Sequence, residues 1–227
     1  MKSYFVTGTD TDAGKTFVAA ALLLKAAQLG LRTSALKPVA AGAEQTAEGW
    51  RNDDALTLQQ ASSQRFAYNS VNPVCLREAI APHIAAREEG IELTVASLME
   101  QCRPLLCGEG DFLLVEGAGG WRVPLNDSES FADLARALGF PVILVVGMKL
   151  GCINHALLSA EAIHRDGLTL AGWVANSVAG EMPRYRENRA TLNHWLAAPL
   201  LGEIPFIPSG DYRAAAQWIS LPESSSN

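Results

Sequence analysis

At 227 residues, with 48% hydrophobic and 19% charged side chains, the chain has the length and composition of one α/β domain with a full core, and wholesale disorder is not expected. A formal net charge of −6 argues against a general electrostatic grip on nucleic acid or an anionic membrane, while leaving room for a local basic pocket. Cys75, Cys102, Cys107 and Cys152 form no C-x-x-C pair and have no histidine at zinc spacing, so buried free thiols in a reducing cytoplasm are expected.

The apolar stretch before Gly8 is too short for a signal peptide, and Pro141 to Met148 falls far below the roughly 20 residues of a membrane span. A soluble, cytoplasmic protein is expected. Tyr4 to Thr7 reads as a strand running into Gly8 to Thr16, G-T-D-T-D-A-G-K-T, and then into the apolar helix Lys15 to Leu29, which Gly30 caps. A strand, a glycine-bounded loop ending in Lys-Thr and a new helix make a phosphate-binding loop. Backbone N–H groups and the helix dipole face an anion, Lys15 adds a full charge, and Thr16 offers a hydroxyl to Mg2+. Five residues separate Gly8 from Gly14 where the common pattern has four.

Thr33 to Val39 predicts a second strand ending at Lys37-Pro38, the edge at which ligands sit in open α/β sheets. Ala40 to Asn52 is polar and glycine-containing, which predicts a loop, with Asn52 or Asp53 capping a helix Asp54 to Ala61. Val71 to Leu76 is a short strand or an extended crossing segment. Ala81 to Glu89 and Thr94 to Leu106 are expected helices, the second shortened or kinked by Pro104.

Phe112 to Glu116 is an apolar strand closing on a carboxylate, followed by Gly117-Ala118-Gly119-Gly120. That position beside a phosphate loop suits an acid directed at a metal, and the glycines permit either close approach to a ligand or a tight turn. The remaining pattern predicts a helix Ser130 to Leu138, a strand Pro141 to Gly147 and a helix Ile153 to Arg165. On that last helix Ile153, Leu157, Ala160 and His164 form a candidate buried face. A strand Leu170 to Asn176, a helix from Pro183 to Leu196 with proline at its first position, a strand Leu200 to Pro205 and a frayed tail Pro222 to Asn227 follow. Strands alternating with helices and no linker predict a single domain over 1–227: a mostly parallel sheet with helices on both faces.

The order of G-T-D-T-D-A-G-K-T, Lys37-Pro38-Val39, Val115 to Gly120, Lys149 to Ala156 (K-L-G-C-I-N-H-A) and Trp173 to Asn176 closely resembles the dethiobiotin synthetase family, from about Tyr4 to Pro205. The resemblance implies a P-loop fold and a homodimeric, ATP-dependent ligase of biotin biosynthesis. Such a ligase closes a ureido ring on 7,8-diaminononanoate with CO2, through a carbamate and a carbamic-phosphoric anhydride. It makes Lys37 and Lys15 the catalytic lysines and Thr16, Asp54 and Glu116 the Mg2+ ligands, with Asp53 competing for the place of Asp54. ATP would contact Asp12, Ala13, Gly14, Lys15, Thr16 and Phe17, then Glu116, Gly117, Ala118 and Gly119, and at the base Asn176, Ser177, Pro205, Phe206 and Ile207. The diamine would meet Thr11, Asp12, Lys37, Ala41, Gly117, Gly119 and Lys149. Leu150, Gly151, Cys152 and Asn154 would come from the other subunit of the dimer, their helix N-terminus facing the substrate carboxylate.

The amide of Asn176 has both the donor and the acceptor that an adenine edge needs, and the guanine-reading N-K-x-D pattern is absent. Family members often carry Glu where Asp12 stands and a hydroxyl residue where Ala41 stands. The competing expectation is an ATPase switch of the partitioning or metal-centre-loading type. It ranks second because Thr9, Asp10 and Thr11 occupy the place of the extra lysine that such switches carry at the start of the loop.

Overall fold

A computed structural model describes residues 1–180 and 182–223. In chain order the elements are β1 (Lys2–Gly8), α1 (Lys15–Gln28), β2 (Thr33–Leu36), β3 (Val39–Ala41), β4 (Glu44–Thr46), β5 (Gly49–Arg51), α2 (Asp53–Ala61), α3 (Tyr68–Val71) and β6 (Val74–Leu76). Then come α4 (Pro82–Glu88), α5 (Val95–Leu106), β7 (Phe112–Glu116), α6 (Phe131–Leu138), β8 (Val142–Gly147), α7 (Cys152–Arg165), β9 (Leu170–Asn176), α8 (Tyr185–Trp195), β10 (Leu200–Ile204) and α9 (Tyr212–Ala215).

Among the described residues six strands pair in parallel in the order β10-β9-β8-β1-β7-β2. Successive side chains of these strands enter opposite cores, which is why the strands are apolar at nearly every position. Phe5, Leu113, Val115, Leu144 and Trp173 pack with α4, α5, α6, α7 and α8 on one side. Tyr4, Val6, Phe112, Leu114, Val145 and Val174 pack with α1, α2 and α9 on the other. Each fully covered Leu or Phe is worth about 1.5–3 kcal/mol of transfer from water, so both faces hold the sheet. The expected α/β layer arrangement is therefore the observed one.

Beside β1 the strand order reverses, with β7 and β2 on one flank and β8, β9 and β10 on the other. The carboxyl ends there open the crevice at which such sheets bind ligands.

Several expected elements differ. The strand Thr33 to Val39 is broken at Lys37-Pro38: β2 stays in the main sheet, and β3 pairs with β6 in a separate two-stranded ribbon. Pro38 has no N–H to continue a ladder, and the Lys37 N–H donates instead to the Val71 carbonyl at 2.8 Å. Val71 itself ends the short α3, so only Val74–Leu76 of that stretch is strand. The loop expected over Ala40 to Asn52 contains the antiparallel hairpin β4–β5. Asn52, not Asp53, caps α2, accepting from the N–H groups of Asp54 and Ala55.

Helix α8 starts at Tyr185 and not at Pro183, because Arg184 adopts φ 57° and breaks the helical path. On α7 the buried face is Cys152, Ala156, Ala160 and Ile163, whereas His164 is exposed. The cysteines are free thiols, but Cys107 is exposed at the C-terminal cap of α5. Of the expected frayed tail, Pro222 is buried beyond an N–H bond from Ser220 to Leu201, and residues 224–227 lie outside those described. No helix among the described residues is long and apolar enough to cross a membrane.

Candidate active site

The carboxyl ends of β1, β2, β7 and β9 deliver the polar groups. After Gly8 the chain turns through Thr9 to Ala13 and enters α1 at Gly14, which adopts φ 81° and ψ 35°. Only glycine fits there, since a Cβ would stand 2.2 Å from Asn176 Nδ2 in addition to the left-handed strain. The Asn176 amide donates to the Ala13 carbonyl at 2.9 Å, so the end of β9 braces the loop. Among the described residues no side chain caps α1, which leaves first-turn N–H groups and the positive end of the dipole directed at the crevice. Lys15 is buried, and its Nζ donates to the Asp10 carbonyl at 3.1 Å. Burial holds its pKa below that of a free lysine, against the pull of Glu116.

The centre of the site is Lys37, 3% exposed. Its Nζ donates to Glu116 Oε1 at 2.5 Å and to Asp54 Oδ2 at 3.0 Å, with the Gly117 carbonyl at 3.5 Å. Burial pushes this amine down, but the two carboxylates outweigh it and raise the pKa above the usual lysine value, so Lys37 is a fixed ammonium. The same balance holds Asp54 low: burial opposes ionisation, and Lys37 with the Thr16 hydroxyl overcomes it. Glu116 Oε1 also accepts from Thr16 Oγ1 at 2.8 Å, while the buried Glu116 Oε2 has no partner among the described residues. Of the competing acids, Asp54 faces this cluster, and Asp53 is exposed on the first turn of α2.

A cavity of about 710 Å³ opens over these groups. It is lined by Thr11, Asp12, Gly14, Lys15, Thr16, Phe17, Lys37, Ala41, Asp54, Ala118 and Gly119 among the expected residues. Ala40, Ala79, Ile80, Ala81, Pro82 and Val123 complete an apolar wall that the sequence reading missed. The only available signal was Pro82 opening a helix; alanine and isoleucine carry no chemistry to flag.

Ala13, Glu116, Gly117 and Asn176 lie behind the lining as supports. Ile204 pairs with Asn176 in register, so Pro205, Phe206 and Ile207 leave the sheet beside Asn176 and Ser177, with Pro205 and Phe206 exposed. Lys149 forms an ion pair with the carboxylate of Asp10. Gly151 caps α7, Cys152 is buried beneath it, Leu150 is 94% exposed, and Asn154 is exposed. None of these five lines the cavity of its own chain.

Known proteins are similar to this chain in sequence and in fold. A family model described as an AAA domain matches residues 2–212. The chain is 56% identical over 221 residues to the ATP-dependent dethiobiotin synthetase BioD of Pseudomonas aeruginosa strain PAO1, covering 97% of each protein. It is 54% identical to the protein of the same name from Cellvibrio japonicus, covering 97% of this chain and 96% of that one. Among solved structures it is similar to the septum site-determining protein MinD of Pyrococcus horikoshii complexed with Mg-ADP, with a TM-score of 0.55, 16% identity, and 93% and 86% of the two chains covered. The cell division ATPase MinD of Pyrococcus furiosus gives a TM-score of 0.56 at 17% identity, with 95% and 88% covered. At such low identity these two likenesses bear on the fold alone.

Proposed function

The chain belongs to the ATP-dependent dethiobiotin synthetase family, and from that premise we propose how its own residues close the ring. It is an ATP-dependent cyclo-ligase of biotin biosynthesis, joining 7,8-diaminononanoate and CO2 into dethiobiotin with release of ADP and phosphate. The observation that carries the assignment of roles is Lys37, a buried ammonium between two carboxylates, on one cavity with a phosphate-binding loop.

In the first step one amine nitrogen attacks the carbon of CO2 and loses a proton, giving a carbamate. A carbamate oxygen then attacks the γ-phosphorus and ADP departs. The second amine attacks the carbonyl carbon of the mixed anhydride, the C–O bond to phosphate breaks, and phosphate leaves as the nitrogen gives up one proton and the ureido ring closes. Negative charge collects on carbamate and phosphoryl oxygens throughout, so fixed cationic donors supply most of the acceleration. Lys37 faces the carbamate, held in place by Glu116 and Asp54. Lys15 and the first-turn N–H groups of α1 hold the phosphates, with Gly14 giving the backbone its close approach.

The apolar wall of Ala40, Ala41, Ala79, Ile80 and Val123 suits the alkyl chain of the diamine, while Thr11 and Asp12 offer polar contacts at its edge. The adenine base would lie beside Asn176, Ser177 and Pro205 to Ile207. Thr16, Asp54 and Glu116 fit Mg2+: all three present hard oxygens, and among the described residues nothing else pairs with the buried Glu116 Oε2. Bound there, the ion would neutralise charge on the phosphate oxygens.

The active unit we propose is a cytoplasmic homodimer in which Leu150, Gly151, Cys152 and Asn154 of one subunit reach the substrate carboxylate held by the other. The exposure of Leu150 just before α7, and of Leu158 midway along it, supports this. The test is phosphate release from ATP and Mg2+ measured with and without diaminononanoate and bicarbonate. Release should require both; hydrolysis indifferent to them would sink the ligase reading.

A further inference from the structure

Lys37 is held by its main chain as well as its side chain. Its carbonyl accepts from Asn72 Nδ2 at 2.7 Å, and the same amide donates to the Val74 carbonyl at 2.9 Å. Asn72 Oδ1 accepts from the Tyr68 hydroxyl at 2.9 Å, and that hydroxyl accepts the Asn52 N–H at 2.8 Å. The Asn52 side chain then caps α2, accepting from the N–H groups of Asp54 at 3.1 Å and Ala55 at 3.3 Å. Its amide nitrogen donates to the carbonyls of Ala41 and Gly42, both at 3.1 Å. The Asp54 carboxylate returns to Lys37 Nζ and closes the circuit.

Asn52, Tyr68 and Asn72 are all buried, and the Arg51 guanidinium lies 4.3 Å over the Tyr68 ring. The circuit joins three segments distant in sequence: the β2–β3 junction, the start of α2, and the passage from α3 to β6. A buried polar network is rigid when its members are paired and costly when one is removed. An apolar core would have joined the segments without that cost. What the polar version adds is a defined spacing between the two chains that carry Lys37 and Asp54.

We infer that Tyr68 and Asn72, acting with Asn52, are positioning residues that hold the Lys37 ammonium and the Asp54 carboxylate in register during turnover. The inference rests on the role given to Lys37 above. The ring of Tyr68 fills the core, whereas its hydroxyl serves the circuit, so Tyr68→Phe separates the two. A matched control is Ser62→Ala, which removes another buried hydroxyl of the α2 region, bonded to the Leu58 carbonyl at 2.8 Å and outside the circuit.

The experiment measures kcat, the KM for ATP and for diaminononanoate, and the melting temperature of parent and variants. Displacement of a catalytic group by a fraction of an ångström to 1 Å costs on the order of tenfold to a hundredfold in rate. Tyr68→Phe should therefore lose about tenfold in kcat with both KM values within about twofold. Ser62→Ala should lower the melting temperature and keep kcat within about twofold of the parent. If Tyr68→Phe does not yield folded protein, Asn72→Ala cuts the circuit at its Lys37 end and is read the same way.

Retention of kcat within about twofold in the circuit variant would overturn the inference. So would an equal loss of kcat in Ser62→Ala, since both outcomes reduce the circuit to ordinary core structure. An inactive parent would overturn the ligase reading, and this inference with it. An active parent with an unaffected circuit variant overturns this inference alone.

Discussion

Replacing Lys37 by Gln tests the centre of the mechanism, because it removes the charge while keeping a polar donor on a side chain one bond shorter. Two effects compete. On stability, Glu116 is fully buried and loses its cation, which in a buried pair costs about 3–5 kcal/mol. The lower end applies here: the glutamine amide still donates one bond, and the Asp54 side chain is 49% exposed and screened by water. For a chain of 227 residues a loss of about 3 kcal/mol lowers the melting temperature by about 6 to 12 °C and leaves the protein folded at 25 °C. On catalysis, removing the fixed positive charge from the developing negative charge should cost at least what one oxyanion-hole donor is worth, about 2.7–4 kcal/mol, or about 10²- to 10³-fold in kcat. The assay is diamine- and bicarbonate-dependent phosphate release at 25 °C, beside a thermal melt of the same sample. Turnover within about threefold of the parent in a protein whose melting point has fallen would show that Lys37 is structural, and the mechanism would fail.

In Gly14→Ala the new Cβ meets Asn176 Nδ2, and the left-handed backbone adds about 1–2 kcal/mol of strain, so fluorescent-ATP binding should weaken by about tenfold or more; an unchanged Kd would remove the bracing role of Asn176. Asp133 accepts from the N–H and hydroxyl of Ser130 at the start of α6, and those bonds hold its pKa below the usual aspartate value. Its contribution to stability is therefore present above the ordinary aspartate range and lost as pH falls through the native value. Asp133→Ala should be less stable by about 1 kcal/mol at pH 7 in urea melts, and the gap should close toward pH 2; a gap constant with pH would refute this. Mixing Asn154→Ala subunits with Lys37→Gln subunits should restore some turnover if the site spans two chains. Verified mixed dimers with no recovery would place the whole site in one subunit.

The parts of the fold legible in the sequence are those on which the core acts from both sides. Phe112–Glu116 and Leu170–Asn176 have the expected bounds because each is an apolar run ended by one polar residue at the sheet edge. The hairpin β4–β5 was illegible for the opposite reason: nearly all its side chains are exposed, so no alternation marks it. The short α9 has too few turns to show a period. Within the site, Lys15, Thr16, Lys37, Asp54 and Glu116 carry charge or oxygen at strand and helix ends, and the structure gathers all five. Asn72 and Tyr68 gave no such signal, because a buried polar network is visible only once the three segments it joins are folded together.

The loop that opens the site sends its residues to more than one neighbour. Five residues separate Gly8 from Gly14, one more than in the common spacing, and they go to separate partners. Asp10 does not face the cavity: its carboxylate pairs with Lys149 and its carbonyl accepts from Lys15. Thr11 and Asp12 turn to the cavity, and Ala13 is pinned from behind by Asn176. In the proposed reaction this gives one stretch of backbone two substrates, phosphate at Gly14 to Thr16 and diamine at Thr11 and Asp12. The Asp10–Lys149 pair then ties that stretch to the segment leading into α7, whose exposed end is the proposed route to the second subunit. In the proposed dimer the loop is thus where nucleotide, diamine and partner subunit would meet.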